Sequence, residues 1–375
     1  MSLIITHEMG HFLVAKRNGV KPEEFGIFFP PKIWGKKMKG GWLFTINLLP
    51  LGGFVKLKGE HDSDTEPGSF GAASDWAKAK IMLAGVAVNL ATAILLFTVL
   101  ALAGMPKIID NQFTVASDTK VTRNDTYVGY VEQGSPAAKA GLKVQDQLLT
   151  ISDGVKSSAL FETDLPDITK QYAGKTVTIS YKRDDKMYRT QASLHTAKEV
   201  EASLKTDNPI GYLGIAPNKI TLQRSTWSAP VVAVGLSAQF TQLTMTGLWH
   251  AVEGLGGIIA GGVTGNKEAR QNAQTAASSQ VSGPLGIFYV LKGGSSLGVL
   301  FTLFVIALIS LTLAIMNILP VPALDGGRLY LMLASRLTKQ KRLTPKMEEI
   351  IVGASFMLLL GLIVLITIVD VKRFF

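Results

Sequence analysis

The stretch IMLAGVAVNLATAILLFTVLALAG, from Ile81 to Gly104, contains no Lys, Arg, Asp or Glu. As a helix rising 1.5 Å per residue it reaches roughly 30 Å, which is the thickness of the hydrocarbon core of a bilayer. Leu297–Leu319 and Ile351–Val369 are uncharged in the same way. Buried helices of soluble proteins seldom run this far without one charge, so these three stretches predict membrane spans.

Composition agrees with a membrane protein. Of the 375 residues, 47% are hydrophobic and only 18% are charged, and the mean hydropathy is +0.28, which is too apolar for an ordinary soluble enzyme. The chain has no cysteine. Disulfide bonds, cysteine-ligated metals and thiol nucleophiles are therefore excluded.

The net charge of +10 is distributed in a way that favours a membrane over a nucleic acid. Basic residues collect in Lys16–Lys80 and Arg328–Lys346, two short segments next to predicted spans, whereas Met105–Leu297 is nearly balanced in sign. Short basic loops beside spans are typical of the cytoplasmic side. We therefore expect both basic segments in the cytoplasm, the long segment outside, and no nucleic-acid partner.

The pentapeptide His7-Glu8-Met9-Gly10-His11 matches the pattern H-E-x-x-H. On a helix, residues four apart share a face, so both imidazoles can point at one metal while Glu8 takes a proton from metal-bound water. Zn²⁺ lowers the pKa of such a water toward about 7. Two ordinary helix histidines are the alternative, but ionisable groups within an apolar segment are costly, which favours a metal site.

A catalytic zinc normally has three protein ligands and one open position. Glu23 and Glu24 are the nearest acids, and they fall in a loop after the first helix. Asp325 is the better candidate because it follows an apolar span in the segment Asn317-Ile-Leu-Pro-Val-Pro-Ala-Leu-Asp-Gly-Gly327. By itself this Asp-Gly pair would indicate only a turn. Together with the histidine pair it predicts the third zinc ligand.

Four pieces of the chain together resemble the site-2 proteases, in particular the bacterial branch that cuts anti-sigma factors and signal-peptide remnants. These pieces are HEMGHFLVAKRNGV from His7, LPLGGFVKLKGE from Leu49, VSGPLGI at Val281–Ile287, and NILPVPALDGGRL from Asn317. They occur in the order found in that family, and the resemblance covers nearly the whole chain.

The resemblance implies specific roles for residues. His7, His11 and Asp325 would be the zinc ligands, Glu8 the general base, and Asn317 a residue that holds the substrate or polarises its carbonyl. The region around Gly52 and Gly53 resembles a membrane-re-entrant β-element that pairs with an unwound substrate segment. A sheet edge can bind the peptide N–H and C=O groups that unwinding would leave unsatisfied in lipid.

The external segment resembles the core of a bacterial PDZ domain. The stretch YVGYVEQGSPAAKAGLKVQDQLLTI runs from Tyr127 to Ile151. Strands are predicted at Thr126–Glu132, Leu148–Ser152, Thr176–Lys182 and Met187–Leu194 around a short helix at Ala137–Ala140, with one more strand at Gly211–Ile215. Such domains bind an extended peptide or a peptide C-terminus at a sheet edge. In the family this domain is thought to admit only substrates already trimmed outside the membrane.

The predicted fold is a multi-pass α-helical membrane protein with about four transmembrane helices, membrane-associated β-hairpins and an extracytoplasmic PDZ α/β domain. We expect the following segments: a truncated first span at 1–18, a cytoplasmic or re-entrant β region at 19–80, a span at 81–104, the PDZ domain at 110–200, an extracytoplasmic strand, surface helix (Val231–Ile259) and loop at 201–296, a span at 297–320, the Leu-Asp-Gly motif and a cytoplasmic loop at 321–350, and a span at 351–370.

The predicted function is zinc-dependent hydrolysis of transmembrane segments in pre-trimmed, single-span membrane proteins, that is, regulated intramembrane proteolysis in the bacterial inner or plasma membrane. The partners are the lipid bilayer, those substrates and a peptide C-terminus at the PDZ domain. The alternative is a catalytically silent membrane scaffold that binds peptides through its PDZ domain. Zinc content distinguishes the two.

Overall fold

The computed structural model describes residues 1–59, 64–160, 164–206, 208–264, 298–337 and 345–374. The motif Val281–Ile287 and the loop expected before residue 297 lie outside the described residues. The chain forms two compact units. One consists of Met1–Val99 together with Pro230–Phe375, and the other is Leu100–Ala229.

The first unit begins with helix α1 (Ser2–Arg17), which is followed by two long strands, β1 (Pro22–Lys37) and β2 (Leu43–Leu57). The helix ends where the side chain of Asn18 donates a hydrogen bond to the Val14 carbonyl at 2.7 Å. The two strands form an antiparallel sheet. Strands therefore occupy the region in which the sequence predicts β structure, residues 19–80.

Strands β1 and β2 are each bent, so that each contributes two segments to the sheet, which therefore has four adjacent segments. Phe25 pairs with both Phe44 and Val55, so residues 22–27 lie between residues 43–46 and residues 53–57. On the far side, Trp34 pairs with Ile46. Residues 53–57 consequently form one edge of this small sheet, next to α1.

Four helices are long and apolar enough to cross a membrane, judged by length and composition within the described residues. They are α2 (Asp75–Ala103), the Ala229–Glu253 part of α6 (Ala229–Thr264), α7 (Val299–Ile318) and the Lys346–Val364 part of α9 (Pro345–Phe374). Three of them match the uncharged stretches of the sequence. The protein is a membrane protein, and its first helix, α1, is shorter than these four.

Helix α6 differs from the surface helix expected at Val231–Ile259. It is one continuous helix of 36 residues. Its Phe240 is buried against Phe97 of α2 and Phe304 of α7, with ring centroids 6.1 and 6.0 Å apart. A helix face that packs between two spans is apolar, and so is a face that contacts lipid. The apolar periodicity of this segment is compatible with both arrangements, and by itself it suggested a surface helix.

Between α7 and α9 the chain turns back through residues 319–324 and forms the short helix α8 (Asp325–Leu337). Helix α7 stops at Ile318 because Pro320 and Pro322 cannot continue it. Gly327 packs directly against this turn, where an added Cβ would lie 2.5 Å from the backbone nitrogen of Pro322. The absence of a side chain at this position lets α8 begin immediately beside the turn.

The second unit contains strands β3 to β9 and three short helices. Their bounds are β3 (Met105–Pro106), β4 (Lys120–Val131), α3 (Pro136–Lys139), β5 (Gln147–Ser152), β6 (Ser157–Ala159), α4 (Leu165–Gln171), β7 (Thr176–Arg183), β8 (Lys186–Ser193), α5 (Ala197–Ser203) and β9 (Ile215–Arg224). The sheet order is β3-β9-β4-β5-β7-β8, with β6 on β5. Buried Val128, Ile151, Ile168 and Ile179 lie in its core.

The strands predicted near residues 126, 148, 176 and 187 are present, but the strand predicted at Gly211–Ile215 is displaced. Gly214 adopts a φ of +73°, and β9 begins only at Ile215. The backbone of residues 212–214 instead accepts hydrogen bonds from other parts of this unit, including one from the Ala137 N–H to the Leu213 carbonyl at 3.0 Å. The apolar residues at 212–215 thus belong mainly to a buried turn.

A buried ion pair fixes the turn before β5. Asp146 is 1% exposed and accepts two hydrogen bonds from the Arg183 guanidinium, both at 2.6 Å, as well as one from the Lys143 N–H at 2.7 Å. The carboxylate holds the pKa of Arg183 above its ordinary value. Next to it, Gln145 has a φ of +74°, a conformation that side chains disfavour.

Candidate active site

Helix α1 places His7, Glu8 and His11 as the helical spacing predicts. His7 and His11 are 7% and 9% exposed, and their ring centroids are 4.8 Å apart at an interplanar angle of 78°. Their Nε2 atoms lie 3.2 Å from each other. Both imidazoles therefore direct the same ring nitrogen to one point inside the protein.

Asp325, the first residue of α8, meets the two histidines at that point. Its Oδ2 lies 3.0 Å from His7 Nε2 and 3.1 Å from His11 Nε2. The three residues form a cluster whose ligand atoms all lie within 4.8 Å of one another. The turn between α7 and α8 brings this carboxylate to imidazoles more than three hundred residues earlier in the chain.

The donor set fits a zinc ion. Zinc binds two imidazole nitrogens and one carboxylate oxygen at about 2.0–2.2 Å, so tetrahedral ligand atoms around one ion lie roughly 3.3 Å apart. The separations of 3.0–3.2 Å found here are close to that value. Two histidines and one carboxylate also leave a fourth position for water or substrate, as catalytic zinc sites do.

The outer nitrogens of the two imidazoles contact α2. His11 Nδ1 lies 2.7 Å from the carbonyl oxygen of Ile81, and His7 Nδ1 lies 3.2 Å from the side-chain amide of Asn89. A carbonyl oxygen only accepts hydrogen bonds, so Nδ1 of His11 carries the proton and its Nε2 lone pair faces the cluster. Such partners orient metal-binding imidazoles.

Gly85 of α2 allows this close packing. A Cβ at this position would lie 2.5 Å from His11 Nε2 and 2.6 Å from His7 Nδ1, far inside ordinary contact distance. At Gly10 on α1, an added Cβ would similarly lie 2.9 Å from the Ala84 carbonyl oxygen. Helices α1 and α2 therefore approach through glycine on both sides, and the imidazoles occupy the space that a side chain would fill.

Glu8 faces a cavity of about 100 Å³ that also reaches two residues of the histidine and aspartate cluster. The cavity is lined by Glu8, His11, Val55, Leu57, Phe70, Ile81, Met82, Asp325 and Arg328. A carboxylate beside an open coordination position is placed to exchange protons with a molecule bound there.

The sheet edge formed by residues 53–57 borders this cavity. Gly53 packs so closely against α1 that an added Cβ would lie 3.4 Å from Cγ of Glu8 and 3.2 Å from the Gly26 carbonyl oxygen. Gly52 is buried against the ring of Phe29. Gly52 and Gly53, which the sequence analysis predicts at a substrate-binding β-element, thus belong to the strand that passes beside Glu8.

Asn317 lies near the end of α7 and is half-buried. Its side chain makes no hydrogen bond to other residues that the structure describes, so its role toward a substrate stays a prediction. His195 and His250 are not part of the histidine and aspartate cluster.

The family model described as Peptidase family M50 matches residues 1–362. The chain belongs to this family, the site-2 proteases. Similar proteins include "Putative zinc metalloprotease CPE1693" from Clostridium perfringens, which is 28% identical over 99% of this chain and 95% of its own length. "Putative zinc metalloprotease all3971" from Nostoc sp. is 30% identical over 96% and 90%, and "Probable protease eep" from Enterococcus faecalis is 26% identical over 100% and 97%.

Family membership makes this protein a membrane zinc metalloprotease, as the sequence predicts. The sequence interpretation did not identify Gly85, Asn89, Ile81 or Val55 as residues of the site. A Gly and an Asn four residues apart within a span were the available signal, since such a pair shares one helical face and a buried amide within an apolar helix needs a partner.

Proposed function

We propose that this metalloprotease hydrolyses peptide bonds within or beside the transmembrane segments of other membrane proteins. In this proposal His7, His11 and Asp325 hold the zinc, and Glu8 is the general base. The observation that carries the proposal is the meeting of the three donor atoms, 3.0–3.2 Å apart, next to a cavity that contains Glu8.

Zinc bound there supplies Lewis-acid chemistry, because it polarises a carbonyl and activates water at neutral pH. Glu8 accepts the proton of the attacking water and afterwards delivers it to the leaving amine. Glu8 lines the same cavity as His11 and Asp325, so its carboxylate lies beside the metal ligands. His11 is held in one tautomer by the Ile81 carbonyl.

The substrate segment would be bound as a strand at the edge formed by residues 53–57. A transmembrane helix satisfies its backbone groups internally, so its peptide bonds become accessible to attack only after local unwinding. A sheet edge can pair with the freed groups. Gly52 and Gly53 leave room for a close backbone approach beside Glu8, and Asn317 would hold or polarise the substrate carbonyl.

The second unit would select substrates as an extracytoplasmic PDZ domain. Strand β9 pairs with β4 along its length, whereas on its other side the only described strand is β3, which pairs at Leu222 and Gln223. The remaining edge of β9 can accept an extended peptide or a peptide C-terminus. Helix α4 lies near this strand, since Lys219 of β9 and Asp164 form an ion pair at 2.5 Å.

The proposed substrates are single-span proteins already trimmed outside the membrane, such as anti-sigma factors or signal-peptide remnants, and the proposed location is the bacterial inner membrane. The basic segments 16–80 and 328–346 support a cytoplasmic position for the loops next to the site. The bacterial origin of the similar proteins is consistent with that location.

The experiment is cleavage of a single-span membrane protein by the purified chain in lipid, with Glu8→Gln as the test variant. We expect cleavage to fall by about 10²–10⁴-fold while one zinc per chain remains bound, because the change removes the base and no metal ligand. Glu23→Gln, at an exposed residue paired with Lys56 at 3.5 Å, is the matched control and should cleave normally.

Two results would refute the proposal. Undiminished cleavage by Glu8→Gln would remove Glu8 from the mechanism. A wild-type chain that binds peptides firmly but holds no stoichiometric zinc and cleaves nothing would instead support the silent scaffold.

A further inference from the structure

Asn89 is a buried amide within an apolar helix, and its surroundings satisfy only one end of it. The residue is 1% exposed, and its Nδ2 lies 3.2 Å from Nδ1 of His7. Its Oδ1 is buried without a hydrogen-bond partner among the residues that the structure describes. An unsatisfied buried carbonyl oxygen destabilises the folded protein, so its retention in a span calls for a physical reason.

The two histidines differ in what holds their outer nitrogen. The Ile81 carbonyl can only accept, so it fixes the proton of His11 on Nδ1 at a separation of 2.7 Å. The amide of Asn89 can either donate or accept. With Nδ2 toward His7, the imidazole has its proton on Nε2, where it can bind Asp325 at 3.0 Å.

A metal ligand needs the opposite arrangement. The Nε2 lone pair of His7 can bind a metal only if the ring proton is on Nδ1, and that proton then requires an acceptor. Rotation of the Asn89 amide by 180° turns Oδ1, the end without a partner, toward Nδ1 of His7. Zinc binding at His7 would therefore require the amide to present Oδ1 to Nδ1 of His7.

We infer that Asn89 is a positioning residue for the metal site, and that its side-chain oxygen accepts the Nδ1 proton of His7 when zinc is bound. Two contacts fix the surroundings of this side chain. Ser310 of α7 donates a hydrogen bond from its hydroxyl to the main-chain carbonyl oxygen of Asn89 at 2.8 Å, and both residues are buried. Gly85, one turn earlier on α2, leaves room for the imidazole of His7 beside the helix.

This inference rests on the metal site proposed above, so the experiment tests both separately. The zinc dissociation constant is measured by competition with a chromophoric chelator for purified protein in lipid, and the melting temperature is measured on the metal-free protein. The variants are Asn89→Leu, which has neither donor nor acceptor, and Asn89→Asp, which can only accept. His11→Ala tests the ligand set itself, and Ser237→Ala removes a buried hydroxyl from α6 as the matched control.

We expect Asn89→Leu to raise the zinc dissociation constant 10- to 100-fold, as the loss of partners behind metal ligands generally does. The metal-free melting temperature should not fall, because the substitution also removes the unsatisfied oxygen. Asn89→Asp should bind zinc as tightly as the wild type or more tightly, since a carboxylate is a stronger acceptor. Ser237→Ala should change nothing.

Three outcomes would overturn the inference: unchanged zinc affinity in Asn89→Leu, an equal loss in Asn89→Asp and Asn89→Leu, or a loss that matches a fall in metal-free stability. If Asn89→Leu does not fold, the zinc dissociation constant of Asn89→Asp decides: a value at or below that of the wild type supports the inference, and a higher value overturns it. If His11→Ala also retains zinc, the proposed ligand set is wrong. If only His11→Ala loses zinc, the ligand set stands and the role of Asn89 does not.

Discussion

A methyl group at Gly85 should disable the site although it removes no catalytic group. In Gly85→Ala the new Cβ would lie 2.5 Å from Nε2 of His11 and 2.6 Å from Nδ1 of His7, whereas ordinary contact begins at 3.4 Å. The imidazoles would have to retreat by about 0.8–0.9 Å, and both are buried and hydrogen-bonded to α2 through their outer nitrogens.

The size of the effect follows from this displacement. A misplacement of about 1 Å in a catalytic site costs roughly 10²-fold in rate, so kcat/KM for a single-span substrate should fall by at least that factor. Zinc affinity should fall as well, because both moved atoms belong to imidazoles of the metal site. Alanine is a better helix former than glycine by about 1 kcal/mol, so a loss cannot be attributed to helix propensity.

The assay combines substrate cleavage, zinc content and the melting temperature of the metal-free protein, each in lipid. Gly353→Ala in α9 is the matched control, since a Cβ there would meet nothing within 4 Å, and it should retain full activity. If kcat/KM and the zinc dissociation constant of Gly85→Ala are within threefold of the wild-type values, the close approach of α2 to the imidazoles is not needed for function and the reasoning is refuted.

Three predictions concern the second unit and are measured by thermal or denaturant unfolding. Gln145→Gly should stabilise by about 1 kcal/mol, because it relieves the positive φ of +74°; destabilisation would mean that the Gln side chain contributes more than the strain. Arg183→Met should destabilise by about 3–5 kcal/mol, because it leaves the carboxylate of Asp146 buried without its charge partner; a neutral effect would show that this carboxylate finds another partner. Hydrogen bonds from Ser228 and Thr226 hold the pKa of Asp118 well below its ordinary value. The contribution of Asp118 to stability should therefore be fully present above about pH 4, its pKa in the unfolded chain, and be lost as the pH falls through its lower pKa in the folded protein. The stability of Asp118→Ala should differ from that of the wild type at pH 7 and approach it in strong acid. A constant difference at all pH values would contradict this.

Local patterns carried most of what could be predicted. The uncharged stretches correspond to α2, α7 and α9, and the four-residue spacing of His7 and His11 set their shared direction before any tertiary contact was considered. The predictions of a strand at Gly211–Ile215 and of a surface helix at Val231–Ile259 were less accurate. Apolar residues indicate burial, but they do not indicate which part of the protein they pack against. In α6 the covering partners are Phe97 and Phe304.

The sequence by itself determined that this is a multi-span membrane protein with a histidine pair and a glutamate on one helical face, because charge content and helical periodicity are properties of neighbouring residues. Only the tertiary structure decided that Asp325 lies 3.0 Å from His7 and that Gly85 and Asn89 of α2 form the surface behind the imidazoles. These contacts join segments far apart in the chain. They depend on how closely α1, α2 and α7 pack, and helix packing is set by the fit of whole surfaces, which no local pattern encodes.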